Sequence, residues 1–66
     1  MSQQRPFTVQ PAHMDKLDIV WTRDKSLARA WAAENYKCDP VHIDVWPTTQ
    51  EDQEQLKIRG GKEYYA

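Results

Sequence analysis

Residues 17–46, LDIVWTRDKSLARAWAAENYKCDPVHIDVW, decide the fold. Apolar side chains alternate with other residues over positions 17–22 and again over 41–46, as they do in β-strands. Residues 25–36 between them are rich in alanine and other good helix formers, and Asp24 stands where a helix cap is expected. The order strand, helix, strand predicts two parallel strands joined by a right-handed crossover, a topology that also admits an N-terminal strand between the two.

The alternation predicts which side of each strand the helix covers. One side of the first strand would carry Leu17, Ile19 and Trp21, and the matching side of the second would carry Val41, Ile43 and Val45. On the helix, the spacing of Leu27, Ala30 and Trp31 predicts the buried stripe. The opposite side of the sheet would then be open unless the C-terminal segment covers it.

The two ends of the chain are less regular. Residues 1–5 are expected to be frayed. Residues 7–9 form a short predicted strand, and the flanking Pro6 and Pro11 favour a place at the edge of the sheet.

The C-terminal third has two possible structures. Thr48 or Thr49, followed three residues later by an acidic residue, resembles a helix start, and that helix would end at Gly60. Alternatively, residues 56–65 form a β-hairpin around Gly60-Gly61, because glycine accepts the positive φ angles of a tight turn. We favour the hairpin slightly.

These elements predict one small α+β domain spanning residues 1–66. In it, one main helix (about 25–36) packs on a three- to four-stranded mixed sheet in two layers, with a C-terminal hairpin or short helix. Only 39% of the residues are hydrophobic and the mean hydropathy is -0.91, so the core must come from a few large side chains. A chain this short buries about 60% of its unfolded surface. Marginal stability is therefore expected.

Charge and composition exclude several classes of protein. The net charge of -1 combines five basic and three acidic residues in positions 1–33 with four basic and seven acidic residues in 34–66. Neither half resembles the basic stripe of a nucleic-acid-binding domain. The sequence has no apolar run long enough for a membrane span and no signal-peptide pattern, and its single cysteine fits a reducing compartment. We therefore predict a cytoplasmic protein without membrane association.

Trp46 is the main candidate for a functional side chain. Under the predicted alternation it lies on the open side of the sheet, and a large aromatic ring beside carboxylates is typical of a partner-binding patch. The residues assigned to this patch are Trp46, His42, Asp44, Asp18, Tyr64 and Tyr65. The alternative is that Trp46 packs beneath the C-terminal tyrosines as a second small core.

Three basic residues suggest a second, weaker hypothesis. Arg23, Lys25 and Arg29 follow the end of a strand and begin a helix, where α/β proteins bind anions. Together with exposed aromatic rings they could bind single-stranded nucleic acid. Asp18 and Asp44 would repel phosphates, and the segment lacks the glycines that let backbone approach a phosphate closely.

Metal and catalytic chemistry receive little support from the sequence. Cys38 and His42 stand four residues apart without the second ligand pair that a structural zinc site needs. As a nucleophile and base they would lack an oxyanion element. We therefore predict no catalytic residue, no metal and no cofactor, with a small Cys/His metal or hydrolytic protein as the least favoured reading.

The sequence thus predicts a non-enzymatic module that binds a protein partner. A homodimer is also possible, because Lys25 and Arg29 could complement the acidic segment that contains Glu51, Asp52 and Glu54. In size, mixed charge and lack of catalytic motifs the chain resembles the small accessory proteins of bacteriophages and other mobile elements. That resemblance implies binding that modulates or inhibits a host protein.

Overall fold

The computed structural model describes residues 3–66. Within them the chain forms four strands and two helices: β1 (Arg5–Pro11), β2 (Asp18–Thr22), α1 (Lys25–Tyr36), β3 (Ile43–Pro47), α2 (Gln50–Arg59) and β4 (Glu63–Tyr65). A short 3-10 turn, Pro40–His42, precedes β3. The predicted α+β class, the helix at 25–36 and the mixed sheet are confirmed. Part of the segment expected to be frayed, Met1 and Ser2, lies outside the described residues, and Arg5 already belongs to β1.

The sheet has the order β3-β1-β2-β4. Strand β1 pairs antiparallel with both β2 and β3, so those two strands run parallel to each other with β1 between them. Helix α1 makes the crossover, and the interposed N-terminal strand is the arrangement that the sequence left open. Strand β4 adds to the free side of β2 in the parallel direction.

The predicted edge position of β1 is wrong, because this strand is central. Its prolines fall where a neighbouring strand has ended. The last pair with β2 is Val9–Asp18, so Pro11 lies beyond that ladder. The last pair with β3 is Phe7–Pro47, so Pro6 lies beyond the other ladder. A proline without an N–H is tolerated in a central strand when the missing donor falls at such an end.

Helix α1 covers one face of the sheet. Its alanines at positions 28 and 32 are fully buried there against Phe7, Val9 and Val20, together with Ile43 and Val45 of β3. The predicted inward direction of Ile43 and Val45 is correct. The buried stripe of α1 is formed by Ala28 and Ala32, one position after the predicted Leu27 and Trp31. Leu27 and the predicted Ala30 are exposed, and Trp31 is half-buried. Val41, predicted to face inward, lies in the 3-10 turn and is 77% exposed.

Strand β2 faces the opposite way from the prediction. Cross-strand partners share a face, and Val20 pairs with Phe7, so Val20 points toward α1 while Ile19 points away. Leu17 and Ile19 instead form a second core with Leu56 of α2, and Trp21 packs against it. Both faces of β2 are covered and both carry apolar residues, so alternation alone could not determine its orientation.

Helix α2 shows that the favoured C-terminal hairpin is wrong and the helix alternative is right. Thr49 caps its N-terminus in a reciprocal capping box with Asp52, and Gly60 ends it with φ 71°. The helix lacks a continuous apolar face and contributes mainly Leu56 to the second core. After Gly61 the chain turns directly into β4. In the described part of the chain, neither helix is long and apolar enough to cross a membrane.

Candidate functional site

Among residues 3–66, strand β4 pairs with another strand on one side only. On its inner side, the Ile19 N–H donates to the Lys62 carbonyl at 3.1 Å, and the Ala66 N–H donates to the Trp21 carbonyl at 3.0 Å. Backbone groups alternate in direction along a strand, so the N–H and C=O groups of Glu63 and Tyr65 point away from β2. We call this outward side of Glu63–Tyr65 the β4 edge. It presents two donors and two acceptors in the geometry of a sheet.

A buried carboxylate holds β4 in place. Asp18 is only 4% exposed, and one of its oxygens accepts the Lys62 N–H at 3.0 Å. The other oxygen accepts the hydroxyl of Tyr36, the last residue of α1. Burial of the phenol and its hydrogen bond to Asp18 raise the pKa of Tyr36 far above its ordinary value. One side chain thus joins β2 to the end of α1 and to the start of β4.

Aromatic rings surround the β4 edge on both faces of the sheet. Tyr64 contacts Trp31 on the α1 face with ring centroids 4.8 Å apart. On the opposite face Tyr65 stacks on Trp21 at 6.0 Å, and the Trp21 indole N–H donates to Glu63. Tyr64 is 37% exposed and Tyr65 73% exposed. The edge strand therefore offers aromatic surface above and below its free backbone groups.

A cleft adjoins each end of β4. The first, about 170 Å³, we call the lysine cleft; its lining is Lys16, Leu17, Asp18, Arg59, Gly60, Gly61, Lys62 and Tyr64. The second, about 330 Å³, we call the Arg23 cleft; its lining is Gln4, Thr22, Arg23, Leu27 and Ala66. Each cleft carries basic side chains, and the aromatic side chain of Tyr64 lies between them.

Trp46, the main candidate from the sequence, occupies the second core. Its ring is half-buried against the cluster of Leu17, Ile19 and Leu56, and its indole N–H donates to Asp52 at 2.8 Å. The alternative of a second small core is therefore the observed arrangement, although the cover comes from α2.

The other residues assigned to the Trp46 patch are dispersed. His42 and Asp44 are exposed on or near β3, at the far edge of the sheet from β4. Asp18 faces α1, on the opposite side of the sheet from Trp46, as the reversed orientation of β2 requires. Tyr64 and Tyr65 remain together at the β4 edge, and Asp18 lines the lysine cleft with Tyr64.

The three basic residues of the anion hypothesis do not form one patch. Arg23 lines the Arg23 cleft beside Leu27. Lys25 and Arg29 lie roughly 160° around the helix from Leu27, so they flank the other side of α1. Arg29 is half-buried, and its Nε has no hydrogen-bond partner among the described residues.

The histidines lie together but without further ligands. The rings of His13 and His42 are 5.1 Å apart, which joins the loop after β1 to the 3-10 turn. Cys38 is half-buried against the α1-side core. Across residues 3–66 no group of three or more His, Cys, Asp or Glu side chains is arranged to hold a metal ion.

Sequence reasoning missed several members of the β4 site. Trp21 and Trp31 were assigned to the core, and Lys16 and Lys62 received no role. The Tyr64-Tyr65 pair was the available signal, but its meaning depends on β4 being an edge strand. Comparisons with protein-family models, curated proteins and solved structures returned no match for this chain.

Asp52 gives a prediction for the α2 side of the sheet. Burial opposes ionisation of this carboxylate, but bonds from the Thr49 backbone and the Trp46 indole hold its pKa below the ordinary value of 3.8. A lowered pKa stabilises the fold above the unfolded-state pKa, and this stabilisation is lost as the pH falls through the folded-state value. Asp52→Asn should therefore cost about 1 kcal/mol at pH 7 and less at about pH 3, below the unfolded-state pKa.

Urea denaturation at the two pH values measures this difference. Glu51→Gln is the matched control, because Glu51 also lies in the first turn of α2 but takes no part in the capping box. If Asp52→Asn lowers the free energy of unfolding by the same amount at both pH values, the stabilising role assigned to the ionised Asp52 carboxylate is contradicted.

Proposed function

We propose that this chain is a non-enzymatic protein-interaction module that binds an extended segment of a partner as a fifth strand on the β4 edge. The unpaired backbone groups of Glu63 and Tyr65 carry this proposal. An exposed strand edge is a template for pairing, and proteins commonly protect such edges by keeping them very short, with charged side chains, with proline, with a bulge or with a covering segment. Strand β4 is short and carries Glu63, but it has no proline and its three residues are all exposed.

The aromatic rings beside the edge support the same function. Tyrosine and tryptophan are enriched among the residues that dominate binding energy at protein interfaces. In strand addition, backbone bonds supply affinity and alternate side chains supply specificity. Tyr64 would contact the partner strand on the α1 face and Tyr65 on the α2 face.

A regulatory role is part of the proposal. A partner segment held on the β4 edge is unavailable to its other contacts, which would modulate or inhibit that partner. The accessory role in a mobile element and the cytoplasmic location, both expected from the sequence, are compatible with such binding.

Tyr65→Pro tests the proposal directly. It removes an N–H that points away from β2, so the fold should persist while one outward hydrogen bond is lost. Peptides selected from a random display library on the wild-type protein should bind this variant about tenfold or more weakly. Tyr65→Ala, which removes only the ring, should have a smaller effect.

Two further measurements complete the test. Urea denaturation establishes that Tyr65→Pro is folded, and amide chemical shifts should move at Glu63–Tyr65 when a selected peptide is added. Asp44→Ala, on the far edge of the sheet, is the matched control and should bind peptides as the wild type does. Selected peptides that are insensitive to Tyr65→Pro, or a library that yields no binder, would contradict the proposal.

A further inference from the structure

We infer that the partner strand is acidic: it carries two carboxylates four residues apart, with an apolar or aromatic side chain midway between them. This inference rests on the proposed function and specifies the chemistry of the partner. It follows from the basic residues at the two ends of the β4 edge and from the spacing of side chains along a strand.

The α1 face of β4 presents three features in a row. Tyr64 and its contact Trp31 occupy the middle, the lysine cleft lies at the start of the strand and the Arg23 cleft lies at its end. The distance from Lys62 to Ala66 is about 13 Å, or four residues of extended chain. Residues i, i+2 and i+4 of an added strand face the same side. One of them would oppose Tyr64, and the other two would reach the clefts.

The basic side chains at both ends are available for a carboxylate. In the described part of the chain the one salt bridge joins Arg59 to Asp15, so Lys16, Lys62 and Arg23 have no carboxylate within ion-pair distance. Asp18 also lines the lysine cleft, but its oxygens already accept the Tyr36 hydroxyl and the Lys62 N–H. In the described part of the chain, no carboxylate side chain lines the Arg23 cleft. An acidic side chain at each end would therefore complement the existing charge.

The same charges disfavour a second copy of this chain on the β4 edge. In a two-fold antiparallel pairing of β4 with β4, the start of one strand meets the end of the other. Lys16 and Lys62 of one copy would then approach Arg23 of the next copy. Like charges placed together across an interface oppose association. A β4–β4 pairing is therefore disfavoured, and we assign the acidic segment to a different protein.

The ring arrangement disfavours single-stranded nucleic acid. Base-stacking proteins present successive aromatic rings on one open surface. Here Tyr64 and Tyr65 lie on opposite faces of the sheet, and Tyr65 already stacks on Trp21. Glu63, immediately before the two tyrosines, adds a negative charge at the edge.

Synthetic peptides test the inference. The probe has a Glu-Thr-Val-Thr-Glu centre, and two matched peptides replace both glutamates with glutamine or with lysine. The acidic peptide should bind about tenfold or more tightly than the glutamine peptide at low salt, and this advantage should shrink as salt is added. The lysine peptide should bind most weakly. A fourth peptide, with the glutamates moved next to the valine, should lose the advantage.

Charge exchange provides the second arm of the experiment. Lys62→Glu should weaken binding of the acidic peptide and strengthen binding of the lysine peptide, whereas a change in folding would weaken both. Lys57→Glu, on α2 away from both clefts, is the control and should preserve the acidic preference.

Other outcomes separate the inference from the proposed function. If all peptides bind equally and Tyr65→Pro weakens them all, the proposed function stands and the acidic inference is overturned. If none of these peptides binds but library-selected peptides bind in a way that Tyr65→Pro weakens, only the acidic inference is overturned. If the library also yields no binder, both are overturned. Two further results would also overturn the inference. Self-association through β4, measured by sedimentation, would make a second copy of this chain the occupant. Binding of single-stranded oligonucleotides that Lys62→Glu abolishes would make nucleic acid the occupant.

Discussion

Gly61→Ala is expected to destabilise the fold more than any other single substitution described for this protein. A Cβ at this position would overlap the backbone carbonyl oxygen of Leu17 and lie 2.6 Å from Cδ1 of Leu56. The carbonyl belongs to the segment that enters the sheet, so relief requires movement of the backbone between α2 and β4. We expect a loss of about 3 kcal/mol or more, against a total stability of about 3–10 kcal/mol for a domain of this size.

Gly60→Ala is the matched control for this prediction. Gly60 has φ +71°, but a Cβ there would meet nothing within 4 Å. The left-handed conformation costs a residue other than glycine about 1–2 kcal/mol, so this variant should remain folded. Urea denaturation followed by tryptophan fluorescence measures both variants. If Gly60→Ala is the more damaging of the two, the packing described for Gly61 is wrong.

Asp18→Ala is expected to have the second-largest effect, a loss of about 2–4 kcal/mol. It leaves the Lys62 N–H and the Tyr36 hydroxyl without an acceptor in a buried position, and it also removes the tie between β2 and β4. Tyr36→Phe removes one donor and should cost about 1 kcal/mol. The double variant should lose less than the sum of the two single variants, because both remove the same hydrogen bond.

The ionisation of Tyr36 offers an independent measurement. Its raised pKa means that the folded protein retains the phenolic proton more strongly than the unfolded chain. The resulting stability is present below the unfolded-state pKa of about 10 and is lost as the pH rises above it. In the wild type, ionisation of one tyrosine should therefore coincide with alkaline unfolding. In Tyr36→Phe, alkaline unfolding should proceed without the ionisation of this tyrosine. Asp44→Ala is the control and should lower the free energy of unfolding by less than about 0.5 kcal/mol.

Sequence patterns predicted the structure correctly where they were compatible with only one arrangement of the chain. Asp24, the alanine-rich segment and the alternation of Ile43 and Val45 led to the correct helix and strand. The alternation failed at β2, where Ile19, Val20 and Trp21 are successive large apolar residues and both faces of the strand are covered. Reversing that strand moved Asp18 from the predicted patch into the interior, and α2 covered part of Trp46.

The β4 edge could not be predicted from the sequence because it depends on contacts distant along the chain. Strand β4 pairs with β2 across more than 40 positions, as in Ile19–Glu63. The capping signal at Thr49 was visible, but the Gly60-Gly61 pair fits both a helix end and a hairpin turn. In the hairpin interpretation, Tyr64 and Tyr65 do not contact the tryptophans and Lys62 does not line a cleft.

The strand order also determines the sequence of events by which the sheet is built. Only β1 and β2 are neighbours both along the chain and in the sheet, so this antiparallel pair closes the shortest loop and loses the least chain entropy. The β1–β3 ladder joins residues 32 to 40 positions apart, and the β2–β4 ladder joins residues 44 positions apart. Such distant pairings slow folding relative to a helical bundle of equal length. The β1–β2 hairpin is therefore the expected nucleus, and the two outer strands assemble on it later.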